Sequence, residues 1–416
     1  MKAMVTQAQP GHSRDSSTEL HPSNIMDGSK PLTSQTSTDW RRVFSLREMG
    51  VFYALILVVL ILSLTATYLG RPNFLSVTNL SNVLYQSSLV GIIAVAMTVI
   101  LITGNFDLSV ASVAALAGAV LIGTADSVGF WPAFGLAMLV AVGAGLLNGV
   151  IVQLVGINAF IVTLGTLTAI RGLVLVYTDG RSLAVSDDNV LASMRAFESG
   201  RLNVGILMLL AASALILIGI YQTIKVRRER KALSPASVGM LLGGIVLAVF
   251  SWLSNFQLTL PNPVIYLLTF TGALWFVLNF TTIGRRVYAV GGNPEAARLS
   301  GINVLRYKMA AFVLCSAAAG FAGILFASRL RSINPAALTG AELTVIASAI
   351  LGGTSLFGGA GSVIKTLVGA FLLFTLTNGF NILNLGANYQ GMIEGVVVVT
   401  AAAIYTVGGN RRAPKR

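Results

Sequence analysis

The chain has 416 residues, 55% of them hydrophobic and only 10% charged, and its mean hydropathy is +0.80. This balance lies outside that of soluble globular domains and points to a polytopic membrane protein. A net charge of +13 would suit a nucleic-acid partner, but the basic residues cluster in short stretches beside apolar runs, which is positive-inside patterning and argues against nucleic acid. The single cysteine, Cys315, excludes a disulfide framework or a Cys-rich metal site within one chain. The two histidines, His12 and His21, both lie in the N-terminal prefix, which rules out histidine-based catalysis in the membrane.

Residues 1–39 are rich in Ser, Thr, Gly, Pro and charge without a sustained apolar period, and read as a disordered cytoplasmic tail without a signal-peptide core. Trp40, Arg41, Arg42 and Arg47 then form an aromatic and basic anchor that keeps the N-terminus inside. Apolar runs of about 20 residues, enough to cross roughly 30 Å of hydrocarbon, fall near 51–69, 82–103, 108–125, 131–154, 159–177, 203–222, 236–254, 262–280, 308–328, 342–357, 363–381 and 389–408. The expected fold is therefore an all-α transmembrane bundle of twelve spans over residues 40–410, or ten if some apolar segments are re-entrant. Forty-three glycines suit close helix packing and broken helices in lipid.

The charges orient this count. Lys225, Arg227, Arg228, Arg230 and Lys231 oppose only Glu229 between spans six and seven, a net +4. Arg285, Arg286, Arg298, Arg306 and Lys308 oppose only Glu295 in the loop 281–308, again +4, and the C-terminus 411–416 adds Arg411, Arg412, Lys415 and Arg416. All three fall on the side of the N-terminus, so both termini are expected in the cytoplasm. The loop 178–202 carries a net −1 and falls outside, whereas Arg71, Arg329 and Arg331 fall outside against the rule.

Several polar residues interrupt the apolar runs. Asn105 and Asp107, in Gly104-Asn105-Phe106-Asp107-Leu108-Ser109, either line a pathway through a broken helix or form the turn that caps one. Arg171 lies about two turns inside its span, where it either anchors structure, by facing protein or snorkelling, or serves a cavity. Asn148, Asn378, Asn381, Asn384 and Glu394 offer donors and acceptors of the kind sugar hydroxyls need, or bind neighbouring helices. The Gly-rich stretch 351–363 lacks the Lys of a phosphate-binding loop and reads as a tight turn between short helices that shapes a gate.

The stretch from Gly284 to Val304 organises the rest. Asn293 is a good N-cap, Pro294 suits the first helical position, Glu295 complements the helix dipole and Gly301 can adopt the left-handed stop. The product is a helix of about two turns, too short to stand alone in water. Glu295-Ala296-Ala297, followed after three residues by Gly301, resembles the Glu-Ala-Ala-x-x-x-Gly signature in the coupling loop of ABC importer permeases. The Ile-x-Leu-Pro tail of that signature is absent. The larger block with Gly284-Arg285-Arg286, Gly291-Gly292-Asn293 and Leu299-Ser300-Gly301-Ile302 resembles the sugar-permease branch, and the extra apolar pair around residues 225–237 resembles its xylose-type members.

That resemblance implies a type II-like permease subunit in the bacterial inner membrane that moves a monosaccharide, D-xylose or another pentose, and hydrolyses nothing itself. It implies a homodimer, P-loop ATPase subunits that carry ATP and Mg and dock on Gly292, Asn293, Glu295, Ala296, Ala297, Arg298 and Gly301, and an extracytoplasmic sugar-binding protein. An ion-coupled carrier is the alternative; it needs acids at mid-depth, for which Asp107, Glu342 and Glu394 are the candidates. An intramembrane enzyme finds neither paired acids nor a metal cluster to work with.

Overall fold

A computed structural model describes residues 46–228, 235–253 and 259–385, with single positions at 392, 395, 396 and 399. The tail 1–39, the anchor around Trp40, part of the loop between spans six and seven, the expected span 389–408 with Glu394, and the basic C-terminus lie outside the described residues. Within them the chain is a helical bundle, and nine helices are long and apolar enough to cross a membrane.

The first five helices follow the apolar runs closely. They are α1 (Leu46–Tyr68), α2 (Val77–Ile102), α3 (Val110–Val128), α4 (Phe130–Val150, extended by a π-turn over Ile151–Val155) and α5 (Ala159–Tyr177). Ser76 caps α2 by accepting from the Asn79 amide, and Asn158 caps α5 by accepting from Phe160. After strand β1 (Leu183–Ala184) come the short helix α6 (Asp188–Met194) with a π-turn over Arg195–Ser199, then strand β2 (Arg201–Asn203). The pair α7 (Gly205–Arg228) and α8 (Pro235–Leu253) leads through β3 (Thr259–Pro261) into α9 (Asn262–Phe280). Next are α10 (Thr282–Gly292), α11 (Pro294–Leu299), α12 (Val304–Leu330), β4 (Ser332–Ile333), α13 (Ala341–Leu351) and α14 (Val363–Leu383).

Two antiparallel strand pairs, β1 with β4 and β2 with β3, mark one face of the bundle. The helices α10 and α11 mark the opposite, basic face. The centre is α2, buried along most of its length and flanked by α9, α12, α13 and α14. On its other side α12 packs against α3 and α4 at very close range, since a Cβ at Gly323 would fall 1.9 Å from the Ala114 carbonyl oxygen. Without a hydrophobic force between helices in lipid, such backbone approach supplies the packing. Outer helices leave Leu64, Leu139 and Val176 exposed, as hydrocarbon-facing residues should be.

Two expectations need correction. The run 342–357 is not one continuous helix: α13 has 11 residues, about 16 Å of rise, roughly half of the hydrocarbon core. The chain nevertheless crosses here, because Ile333 pairs with Leu183 on the strand face while Gly359 donates to the Ile102 carbonyl near the basic face. Irregular segments built of turns on either side of α13 complete the distance, so the alternation of faces is preserved. The stretch after it joins α13 to a helix of 21 residues, α14, and so does not separate two short helices.

Candidate functional site

The stretch 282–302, expected as a loop ending in one short helix, is two helices set on the basic face. The part read as loop is the amphipathic helix α10, which buries Gly284, Val287, Val290 and Gly291 at helical spacing and turns Arg285 and Arg286 outward. Asn293 ends α10 and starts α11: its amide donates to Ala289 and its side chain accepts from the Ala296 amide at 3.0 Å. Gly301 sits at φ +78°, with the Ile302 amide donating to Ala297 and the Gly301 amide to Arg298, a Schellman stop. Only Ala297 of α11 is buried, and Leu299 is 80% exposed. Glu295 and Arg298 approach to 3.9 Å in solvent, a contact of little energetic weight. The short helix thus stands free, rigidly capped at both ends.

Its root is not free. A Cβ at Gly291 would lie 1.6 Å from the Ile102 carbonyl oxygen and 2.8 Å from the Gly359 amide, so α10 touches the end of α2 and the loop 352–362 backbone to backbone. Gly358 and Gly359 hold positive φ there, the Gly359 amide donates to Ile102 at 2.9 Å, and the Tyr288 hydroxyl donates to the Gly361 carbonyl at 2.9 Å. Burial pushes the Tyr288 phenol above its ordinary range. Three elements therefore meet in a glycine-lined junction: the root of α11, the break after α2, and the loop between α13 and α14. The glycines of 351–363 and Gly291 were visible in the sequence, but nothing in their spacing said that they face one another.

Across that break, Asp107 is fully buried. One carboxylate oxygen accepts from the Ser109 amide at 2.9 Å and hydroxyl at 2.5 Å, the other from Ser316 at 3.3 Å, and Asn148 donates to Ser109 at 2.9 Å. The cluster ties the start of α3 to α4 and α12. The Asn148 side-chain oxygen has no partner in it, and Asn105 reaches only Thr103, at 3.4–3.5 Å.

The remaining polar residues lie toward the strand face. Arg171 donates to the carbonyls of Pro335 at 2.9 Å and Ala337 at 2.8 Å, satisfying irregular backbone at membrane depth just before α13. Beside that segment a cavity of about 350 Å³ opens between α2, α13 and α14, lined by Thr339, Gly340, Thr344, Phe374 and Thr377 among others. Asn378, one residue beyond Thr377, is buried with its side-chain oxygen unpaired, and Glu342 in the first turn of α13 also has one unpaired oxygen. Asn381 is exposed. The structure does not bring the expected polar residues into one site: Asn105, Asp107 and Asn148 gather at one level, Arg171 and Asn378 at another.

One cluster escaped sequence reading altogether. Glu198 is completely buried and pairs with Arg329 at 2.9 Å; the Tyr85 hydroxyl and Ser199 also donate to it, and the Arg329 guanidinium lies 3.8 Å from the centre of the Tyr85 ring. Arg329 therefore stands on the strand face against the positive-inside pattern because a carboxylate neutralises it. No local signal links residues 85, 198 and 329.

The described residues thus form a bundle of membrane-crossing helices with a half-length helix, α13, and a capped helix, α11, exposed at one face. The chain belongs to the family of permease components of branched-chain amino acid transport systems, whose model matches residues 79–402. It is 34% identical over 377 residues to the ribose import permease protein RbsC of Escherichia coli K12, covering 90% of this chain and 98% of the relative. It is also 34% identical over 359 residues to the xylose transport system permease protein XylH of the same strain, covering 84% and 90%. The ribose import permease protein RbsC of Bacillus subtilis 168 is 32% identical over 377 residues, covering 89% and 98%. No solved structure matches.

Proposed function

We propose that this chain is the membrane-spanning subunit of an ATP-driven sugar importer of the ribose and xylose type, with D-xylose or another pentose as cargo. The observation that carries the proposal is the form of α11: bare on its outer side, capped at both ends, and rooted by α10 in backbone contact with the break after α2 and the loop before α14. A separate ATPase that grips Gly292, Asn293, Glu295, Ala296, Ala297, Arg298 and Gly301 would displace that root, and the packed junction would pass the displacement to two transmembrane elements. Sugar relatives of both kinds support the cargo class, and their equal identity leaves ribose and xylose level.

In this reading the basic face is cytoplasmic and the strand face receives a sugar-binding protein, with a second copy of the chain completing the pathway. ATP and Mg belong to the ATPase subunits. The sugar path follows the cavity at the start of α13, where threonine hydroxyls, an aromatic face and the amides of a half-helix N-terminus suit an uncharged polyol. Asn378 and Arg171 flank it. Asp107, Asn105 and Asn148 serve the path from the junction side, and Asn381 and Glu394 lie beyond it along the chain.

The test is reconstitution of the chain with its ATPase in lipid, with ATPase stimulation measured across binding proteins loaded with ribose, xylose or a hexose. Stimulation by a loaded pentose-binding protein is expected, and the double substitution Glu295→Arg, Gly301→Val should abolish it while the protein still inserts. Ion-driven pentose accumulation in vesicles holding this chain alone would overturn the proposal.

A further inference from the structure

A second cleft, of about 520 Å³, opens on the basic face between α9, α10 and α12, with Val99 of α2 among its lining. Its walls are apolar, from Leu274, Leu278, Ile283 and Leu314, while Arg286 and Arg306 line the same cleft as exposed cations on α10 and the first turn of α12. Arg286 donates to the Tyr307 hydroxyl at 3.3 Å, and neither guanidinium has a carboxylate within ion-pair distance among the described residues. Beside it α9 turns Trp275, Phe276 and Phe280 outward at 41%, 57% and 60% exposure, as a helix against acyl chains does.

We infer that this cleft is a binding site for one anionic phospholipid of the leaflet on the α10–α11 side, with acyl chain on the apolar walls and phosphate on Arg286 and Arg306. A sugar would find hydroxyl partners only at the arginine end. A phospholipid matches both halves: two cations with no ion-pair partner among the described residues answer the headgroup, and an apolar slot beside the outward-facing aromatic residues of α9 answers the tail. The site requires only that the chain spans a membrane. It therefore does not depend on the proposed cargo or ATPase, and its failure would leave them untouched.

The experiment uses the full chain in nanodiscs of phosphatidylcholine with phosphatidylglycerol added, reading retained lipid by native mass spectrometry and the thermal midpoint in parallel. The wild type should retain phosphatidylglycerol over phosphatidylcholine and be stabilised by it. Arg286→Gln with Arg306→Gln should lower that affinity by roughly thirtyfold, at about a kilocalorie per lost arginine. A charge-matched pair outside the cleft, Arg285→Gln with Arg298→Gln, should retain the lipid. Ala310→Phe fills the slot without changing charge and should also lose it, which covers the case in which the arginine variant does not fold. Equal loss in both arginine pairs, or unchanged retention in the Ala310→Phe protein, would overturn the site. So would intact lipid retention with failed assembly on a second copy or on the ATPase, since the cleft would then seat protein.

Discussion

Gly291 and Gly292 are neighbours with opposite demands. A methyl group at 291 would overlap the Ile102 carbonyl, whereas at 292 the nearest atom outside the helix is 3.9 Å away. Gly291→Ala should therefore separate α10 from α2 and cost about 1–3 kcal/mol, the usual range for overpacking, with a lower thermal midpoint in detergent. Gly292→Ala should leave that midpoint within experimental error. The buried pair on the strand face gives a second residue-level prediction. Glu198→Ala strands Arg329, which is only 19% exposed, and should cost about 3–5 kcal/mol, whereas Tyr85→Phe removes one hydrogen bond and should cost about 1 kcal/mol. Caps such as Asn293 and Gly301 were legible because a cap is a bond between residues two to five apart. Glu198 with Arg329 was not, because 131 residues separate them.

At the scale of elements, most helices fell where apolar run length put them, and α5 and α9 match their expected bounds of 159–177 and 262–280. The misses share a cause. The α10 stretch carries arginines and glycines that read as a loop, and becomes a helix because Gly284 and Gly291 let it lie flat against the bundle. The α13 run is apolar enough for a span, but the helix stops at Leu351, where Gly352 caps it and Gly353 turns the chain at φ +77°. The segment before α13 depends on Arg171 for its carbonyl partners. Arg171→Leu should leave two carbonyls unpaired at membrane depth and destabilise the protein by about 2–4 kcal/mol, with transport falling only in proportion to the folded fraction. A loss of transport at unchanged folded fraction would instead place Arg171 on the sugar path.

At the scale of the molecule, the described residues form a bundle around α2 with one satellite. Helices α7 and α8 pack on each other, with Gly219 against Leu241 and Gly244 against Ala212, far more extensively than on any other described helix. Their ends are held by β2 and β3, in which Asn203 faces Thr259. Replacing residues 204–258 with a two-residue Asn-Gly turn should therefore close the hairpin directly. The shortened chain should insert and keep a thermal midpoint close to that of the full protein, measured in the same detergent. A collapse in expression or midpoint would show that the satellite supports the core.

Membrane residence and the capped helix that carries the family resemblance were determined by the sequence alone. Each rests on composition or on bonds between near neighbours, and the family match bears the resemblance out. The partner of Arg329, the half-helix at α13 and the junction of Gly291 with Ile102 and Gly359 were decided only in three dimensions. Those contacts join residues far apart in the chain, and close backbone packing in lipid selects them by shape, which a string of glycines permits but does not specify.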